Sequence, residues 1–323
     1  MYKNATVSVV MITYKHGDFI EQAINSILMQ QCSYPIELII ADDNPPNSPD
    51  KTTDIIKNIT SNHKNGNWIN YTKHAQNKGM MGNFLWALNS AKGKYIAICE
   101  GDDYWTDPLK IQRQVDFLER NNDYAICFHA VNIEYENNII PFLNDTNKNT
   151  KDTTSLIDII KSNYIHTMSV IFRNYNDYPE WLINAYPGDW PLHIINATHG
   201  NIKFLPEQMA TYRVHFGGVH STTGGKPVEQ IQTLQNISIE LNSRGFPEYS
   251  KIINFYNDKA EINYFVFNKN IKDLNRWEKS SLLLKSQHKK FNYLFFIPIL
   301  LNNSSYRIFN IYMSLKFYFD LIR

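Results

Sequence analysis

Tyr95-Ile96-Ala97-Ile98-Cys99-Glu100-Gly101-Asp102-Asp103 runs five apolar or weakly polar residues straight into three carboxylates. A short, unbroken apolar run reads as a strand buried in a sheet. Like charges packed at its end repel, and each is held protonated unless a cation sits among them. Oxygen-only ligands suit a hard divalent ion such as Mg²⁺ or Mn²⁺. In open α/β sheets, ligands bind at the carboxyl ends of the strands. The segment therefore predicts a metal that holds phosphate.

Working back toward the N-terminus, apolar runs alternate with helical patterns. Val7 to Ile12 is a β-branched run, followed by the loop Thr13-Tyr14-Lys15-His16-Gly17. Phe19 to Met29 places Phe19, Ile20, Ala23 and Ile27 at helical spacing. Ile36 to Ala41 predicts a second strand ending in Asp42-Asp43, and the prolines of Asn44-Pro45-Pro46-Asn47-Ser48-Pro49 enforce a loop. Thr52 to Ser61 reads as a helix, Trp68 to Thr72 as a strand and Gly82 to Ala91 as a helix. This β-α alternation implies a mostly parallel sheet with right-handed crossovers.

Beyond Asp103, helices are expected at Lys110–Arg120 and Thr154–Ser162, and strands at Tyr124–Ile133, Met168–Phe172 and Met209–Val214. Past Lys226 the chain turns more polar and helical, at Val228–Asn242 and Ile252–Lys285. The expected organisation is a catalytic domain over 1–224 and a helical region over 225–323, divided near Gly224-Gly225-Lys226-Pro227.

The last segment has its own pattern. Tyr293 to Leu301 is nearly all apolar but too short to span a bilayer, and Pro298 interrupts it. Ile308, Ile311, Tyr312, Leu315, Phe319 and Ile322 share one helical face, preceded by Lys285, His288, Lys289 and Lys290. Two readings stand: an in-plane membrane contact, or a helix packed on the domain or on a second copy.

Bulk properties exclude several classes. A net charge of +1 over 323 residues gives no global attraction to nucleic acid. Cys32, Cys99 and Cys127 are far apart and show no paired spacing, so neither a disulfide scaffold nor a zinc site is expected. Met1-Tyr2-Lys3-Asn4 opens no apolar signal region, and the expected location is cytoplasmic, peripheral on the inner face of the membrane. The chain has no GxGxxG, no phosphate loop and no Gly-x-Ser-x-Gly elbow.

Taken singly, Asp42-Asp43 and Asn77-Lys78-Gly79 are weak signals. The carboxylates can accept hydrogen bonds from a base or a ribose, and they equally suit a surface turn. Small residues at 77–79 let a ligand approach the helix N-terminus. In order, though, Val9-Val10-Met11-Ile12-Thr13-Tyr14, Ile39-Ile40-Ala41-Asp42-Asp43, Asn77-Lys78-Gly79, Ala91-Lys92-Gly93-Lys94-Tyr95-Ile96 and Glu100-Gly101-Asp102-Asp103 form a specific set. The set resembles the family 2 glycosyltransferases, which have the GT-A fold, from about Thr6 to Ser221.

The resemblance implies that Thr13, Tyr14, Asp42, Asn77 and Gly79 hold the nucleoside and its neighbourhood. Asp102 matches the second carboxylate of the family's Asp-x-Asp and is the implied metal ligand, supported by Asp103. Glu100 stands where Asp is commoner. The loop after Asp43 departs from the frequent Gly-Ser-x-Asp, which leaves Asp50 unassigned. Gly188-Asp189-Trp190 matches the family's acceptor-side segment, which makes Asp189 the implied general base. Asp189 also sits where a helix N-cap belongs, and both roles can hold together. Tyr212-Arg213-Val214-His215-Phe216-Gly217-Gly218-Val219-His220 resembles the segment that closes the active site in many members. It implies His215 as the third metal ligand, with His220 as second choice, and Arg213 as a phosphate contact.

The expected function is metal-dependent, inverting transfer of a sugar from a nucleotide diphosphate sugar, a UDP-sugar, to a hydroxyl of a glycan or lipid-linked glycan in bacterial surface polysaccharide synthesis. The cofactor is Mn²⁺ or Mg²⁺. Two rivals share the sheet and the carboxylates. One is a sugar-phosphate nucleotidyltransferase, which would release pyrophosphate. The other is an inactive relative that only binds a nucleotide sugar or a glycan.

Overall fold

The computed structural model describes residues 5–45, 50–135, 138–142, 151–215 and 226–268. His220, the segment Gly224-Gly225 and the apolar tail beyond 268 lie outside the described residues. The chain divides into two compact units, Met1–Ile253 and Asn254–Arg323.

The first unit is built on a ten-stranded sheet. Its first half contains β1 (Val7–Thr13), α1 (Ile20–Leu28), β2 (Ile36–Asp42), α2 (Thr52–Asn62), β3 (Ile69–Lys73), α3 (Met80–Ser90) and β4 (Tyr95–Ile98). β1 pairs in parallel with β2 and β4, and β2 in parallel with β3. All seven residues of β2 and all four of β4 are buried, as strands covered on both faces must be. The helices supply that cover. Ile20, Ala23, Ile24 and Ile27 of α1 are buried in the same cluster as Val7, Val9, Met11, Leu38 and Ile40.

The second half adds β5 (Tyr104–Trp105), α4 (Lys110–Arg120), β6 (Tyr124–Tyr135), β7 (Asn138–Phe142), β8 (Thr153–Thr154), α5 (Leu156–Lys161), β9 (Ile171–Arg173), α6 (Asp189–Ala197) and β10 (Asn201–Val214). The sheet order is β3-β2-β1-β4-β9-β6-β10-β5, with β7 on β6 and β8 on β10. β9 runs antiparallel to both β4 and β6, and so joins the two parallel halves. β6 and β10 are parallel.

Three elements differ from the sequence expectation. β10 starts at Asn201, not Met209, because Pro206 falls at a register shift between Leu205 and Gln208 and hides the strand pattern. The strand expected from Met168 begins at Ile171, after a 3₁₀ turn over Thr167–Ser169. Thr154 belongs to β8, and the helix after it starts at Leu156, capped by Ser155 and Asp158 in a reciprocal box.

The helix Pro227–Ser243 belongs to the first unit. Leu234, Ile237 and Leu241 are buried. Trp181 Nε1 donates to Glu240 Oε2 at 3.0 Å, and Tyr186 N donates to Thr233 Oγ1 at 2.9 Å. The helix Pro247–Asn268 follows. Among the described residues, no helix is long and apolar enough to cross a membrane.

Candidate active site

Register delivers the site to one sheet edge. Thr13 pairs with Asp42 at the ends of β1 and β2. Gly101 N donates to Ile12 O at 3.0 Å, which seats the acidic tip beside the end of β1. β10 reaches the same place, because Thr211 pairs with Tyr104 next to Asp103. Thr13, Asp42, Glu100–Asp103, Arg213 and His215 are thereby brought together from four strands, as the sequence reading required.

The motif Ala91-Lys92-Gly93 has a structural duty. Ser8 Oγ donates to Glu37 Oε1 at 2.5 Å and accepts from Gly93 N at 2.8 Å. A Cβ on Gly93 would meet Ser8 N at 2.6 Å, so glycine is required for that approach. The loop thus aims β4 and its acidic end.

At the tip, oxygens of Glu100, Asp102 and Asp103 lie within 4.8 Å of one another. Burial first, then the Asp102 and Asp189 charges, push the Glu100 carboxyl up to about 8. Burial, Asp102 and Glu100 likewise push Asp103 well above the usual carboxylate range. Asp103 Oδ1 accepts the backbone N–H of Arg213 at 2.9 Å, but its buried Oδ2 has no partner among the described residues. An oxygen-rich set with a buried, unpartnered carboxylate oxygen and elevated proton affinity fits a hard divalent cation. Glu100 and Asp102 are partly exposed, Asp102 at 20% of its side chain, while Asp103 is buried. His215 Nε2 lies 3.2 Å from Asp102 Oδ2. Glu100, Asp102 and Asp103 each offer an oxygen to such an ion, with the His215 ring beside Asp102.

Arg213, expected at a phosphate, is held by protein partners on several sides. It is 9% exposed, and its guanidinium is engaged by protein. Nη2 donates to Gln22 Oε1 at 2.6 Å, Nε to Glu134 Oε2 at 3.3 Å, and Nη1 to the Asp102 carbonyl. Its plane lies between Phe19 and Tyr104, 4.8 and 4.9 Å from their centroids. These contacts tie Arg213 to the acidic tip.

Asp42, expected on the nucleoside side, is fully buried. Its Oδ1 accepts Asn44 N at 2.9 Å and its Oδ2 accepts Tyr71 OH at 2.8 Å, with Lys73 Nζ at 3.6 Å. Asp43 holds the next loop, accepting Lys78 N at 2.7 Å on Oδ1 and Asn77 Nδ2 at 3.1 Å on its carbonyl. Asn77 Oδ1 in turn accepts Gly79 N at 2.9 Å. Gly79 has φ +74, which glycine adopts without strain, and it opens α3. Asn77 is thus a loop brace. Thr13 Oγ1 is buried without a partner, and Tyr14 stands 46% exposed beside it.

Asp189 is the first residue of α6. Asn163 Nδ2 donates to its Oδ2 at 2.9 Å, and Trp190 N donates to its Oδ1 at 2.8 Å. The expected N-cap role falls to Gly188 instead, and the helix start carries no side-chain cap bond; the Asp189 side chain remains partly exposed. It is close enough to Glu100 and Tyr212 to act on both electrostatically. Sequence reasoning missed Gln22, Tyr71, Glu134, Asn163 and His16. Only His16 stood inside a quoted motif; the others are ordinary surface-type residues with no local signal.

Residues 8–178 match the family model described as glycosyl transferase family 2. An uncharacterized protein of Mycobacterium tuberculosis is 36% identical over 217 residues, which is 66% of this chain and 60% of that protein. The chain thus spans under two thirds of that relative's length. The UDP-Glc:alpha-D-GlcNAc-diphosphoundecaprenol beta-1,3-glucosyltransferase WfaP of Escherichia coli is 29% identical over 247 residues, 74% of this chain and 89% of that protein. Among solved structures, S. aureus TarS 1-349 in complex with UDP-GlcNAc aligns with TM-score 0.60 at 17% identity, over 87% of this chain and 79% of that one. The mannosyltransferase PcManGT of Pyrobaculum calidifontis, in complex with GDP-Man and Mn²⁺, aligns with TM-score 0.53 at 13% identity, over 97% of this chain and 85% of that one. At such identities the likeness is one of fold.

Proposed function

The chain belongs to glycosyl transferase family 2, and from that premise we propose that it is an ion-dependent, inverting transferase that uses a UDP-sugar. The observation that carries the reading is the carboxylate tip at Glu100–Asp103, where three carboxylates converge and one oxygen of Asp103 is buried without a partner among the described residues.

In the proposed reaction, an acceptor hydroxyl attacks the anomeric carbon in line with the departing diphosphate. The new O–C bond forms as the C–O bond to phosphate breaks, and UDP leaves. Asp189 takes the hydroxyl proton. Asn163 and the Trp190 N–H keep its carboxylate oriented for that transfer. Asp102, Asp103 and His215 would hold a Mn²⁺ or Mg²⁺ ion, which would supply Lewis-acid stabilisation of the charge developing on the diphosphate. Asp42 and its Tyr71 partner face the nucleoside, beside Thr13 and Tyr14. Asn77 and Gly79 shape the loop next to them. Single displacement inverts the anomeric centre.

For the acceptor we propose a lipid-linked glycan of a bacterial surface polysaccharide. The E. coli relative, whose name specifies a diphosphoundecaprenol acceptor, supports this reading, as does the apolar and basic C-terminal sequence. Peripheral contact with the inner membrane face, or self-association, belongs to the region 225–323 in this proposal.

The test is Asp189→Asn. Transfer should fall by at least about 100-fold, the lower end expected for loss of a positioned base, while UDP and Mn²⁺ binding stay unchanged. Retained transfer contradicts the base assignment. Release of pyrophosphate in place of UDP contradicts the reaction class.

A further inference from the structure

His16 occupies the loop between β1 and α1, and nothing above assigns it a duty. Its carbonyl accepts the N–H groups of Phe19 and Ile20, both at 2.9 Å, so its backbone is pinned to the first turn of α1. The residue before it, Lys15, has φ +58. That left-handed conformation costs a non-glycine residue on the order of 1 kcal/mol or more, and it turns the chain so that the His16 ring points at the acidic tip.

The ring lies hard against that tip. A Cβ on Gly101 would come within 2.9 Å of His16 Nδ1. Nδ1 is buried and has no hydrogen-bond partner among the described residues. Nε2 faces Asp102 Oδ2 at 3.8 Å. This is too long for a hydrogen bond. His215 Nε2 also lies near Oδ2, at 3.2 Å, with the two imidazoles edge to face at 6.4 Å between centroids. One carboxylate oxygen is therefore flanked by two ring nitrogens.

The separation matters. Ligand atoms about 2.1 Å from a small divalent ion are about 3.0 Å apart at right angles and at most about 4.2 Å apart. The His16–Asp102 gap of 3.8 Å lies in that window. A gap too wide for a hydrogen bond, yet narrow enough for one shared ion, is what a metal ligand pair shows without its metal.

We infer that His16 Nε2 is a ligand of the divalent ion held by Asp102. The inference rests on the ion-dependent reading above, and it adds to that reading a ligand from the β1–α1 loop. Because the His16 carbonyl accepts the N–H groups of Phe19 and Ile20 at the start of α1, ion binding would then couple the acidic tip to the helix that also carries Gln22, the partner of Arg213.

The test uses the full chain, Mn²⁺ and UDP. His16→Phe keeps the ring's packing and removes both nitrogens, and His16→Gln serves as a second variant if the first is unstable. The melting temperature without metal reports folding. Electron paramagnetic resonance of free Mn²⁺ reports affinity, and spin-echo modulation by ¹⁴N reports imidazole ligation. Both variants should bind Mn²⁺ at least 10-fold more weakly in the presence of UDP, with metal-free melting unchanged. In a His215→Phe background, ¹⁴N modulation should persist, and it should vanish when His16→Phe is added. Unchanged Mn²⁺ affinity, or modulation absent from His215→Phe alone, overturns the assignment of His16 and leaves the transferase reading standing. An equal loss of UDP affinity without metal also overturns it, because His16 would then touch phosphate. A wild-type chain that takes up no Mn²⁺ with UDP overturns both.

Discussion

The backbone N–H of Arg213 donates to Oδ1 of Asp103 at 2.9 Å, and the same residue's guanidinium holds the Asp102 carbonyl. A strand that ends the fold thus grips a tip formed 110 residues earlier. The grip brings a positive charge to the carboxylate cluster and holds the backbone of Asp102.

Arg213→Lys tests the grip. Lysine keeps the charge but cannot reach Gln22, Glu134 and the Asp102 carbonyl together. Loss of these charge-assisted bonds costs about 2–4 kcal/mol, a fall in melting temperature of about 5–10 °C for a unit of this size. Calorimetry should show that fall, together with at least 10-fold weaker Mn²⁺ binding. A variant that melts and binds ion like wild type contradicts the clamp.

Glu100 makes stability depend on pH in a definite direction. Its pKa is raised from 4.5 to about 8 by burial and by Asp102 and Asp189. Between those values the native state holds the proton more tightly than the unfolded chain, so this residue's contribution falls as pH rises. His193, pushed down to about 4 by burial, pulls the other way over the acid half of that window. The measurement must therefore compare variants. Glu100→Gln should gain stability relative to wild type from pH 5 to pH 8 in EDTA, and the gain should vanish in saturating Mn²⁺. A constant difference across that range contradicts the assignment.

Lys110 carries the opposite dependence far from solvent. It is fully buried, its Nζ donates to Gln114 Oε1 at 2.8 Å, and it lies 4.2 Å from the Trp105 ring centroid. Burial lowers its pKa from 10.5 to about 7. The unfolded chain keeps the proton above pH 7, so the destabilisation is complete below pH 7 and fades toward pH 10.5. Lys110→Met fills similar volume without charge. It should melt higher than wild type at pH 7, with the advantage shrinking by pH 10. An advantage that grows with pH contradicts the argument.

Tyr71→Phe removes the hydroxyl that donates to Asp42 Oδ2 at 2.8 Å. A hydrogen bond to a charged group is worth about 1.5–3 kcal/mol. If Asp42 faces the nucleoside, the freed carboxylate loses its orientation and UDP affinity falls about 10-fold. Isothermal titration with UDP and Mn²⁺ measures it, and unchanged affinity removes Asp42 from the nucleoside site.

The strands nearest the site were legible because each is a short apolar run with an abrupt polar end. Val7–Ile12, Ile36–Ala41 and Tyr95–Cys99 announce both their burial and the edge where chemistry collects. The residues that work at long range were not legible. Nothing local marks Gln22 or Glu134 as partners of Arg213, or Tyr71 as the partner of Asp42; sheet order and helix docking make those pairs. The neighbours Asp42 and Asp43 look alike in sequence, yet one ends a strand with its carboxylate on Tyr71 and the other braces the loop at Lys78. The first half of β10 was hidden by Pro206, which breaks the alternation a strand is read from.

The central claim is that the acidic tip holds a divalent ion on the diphosphate of a sugar nucleotide. A crystal soaked with Mn²⁺ and UDP measures it directly by anomalous scattering. The account predicts a manganese peak about 2.1 Å from a carboxylate oxygen of Asp102, bridged to both phosphates. UDP bound with no manganese at Asp102 would contradict it.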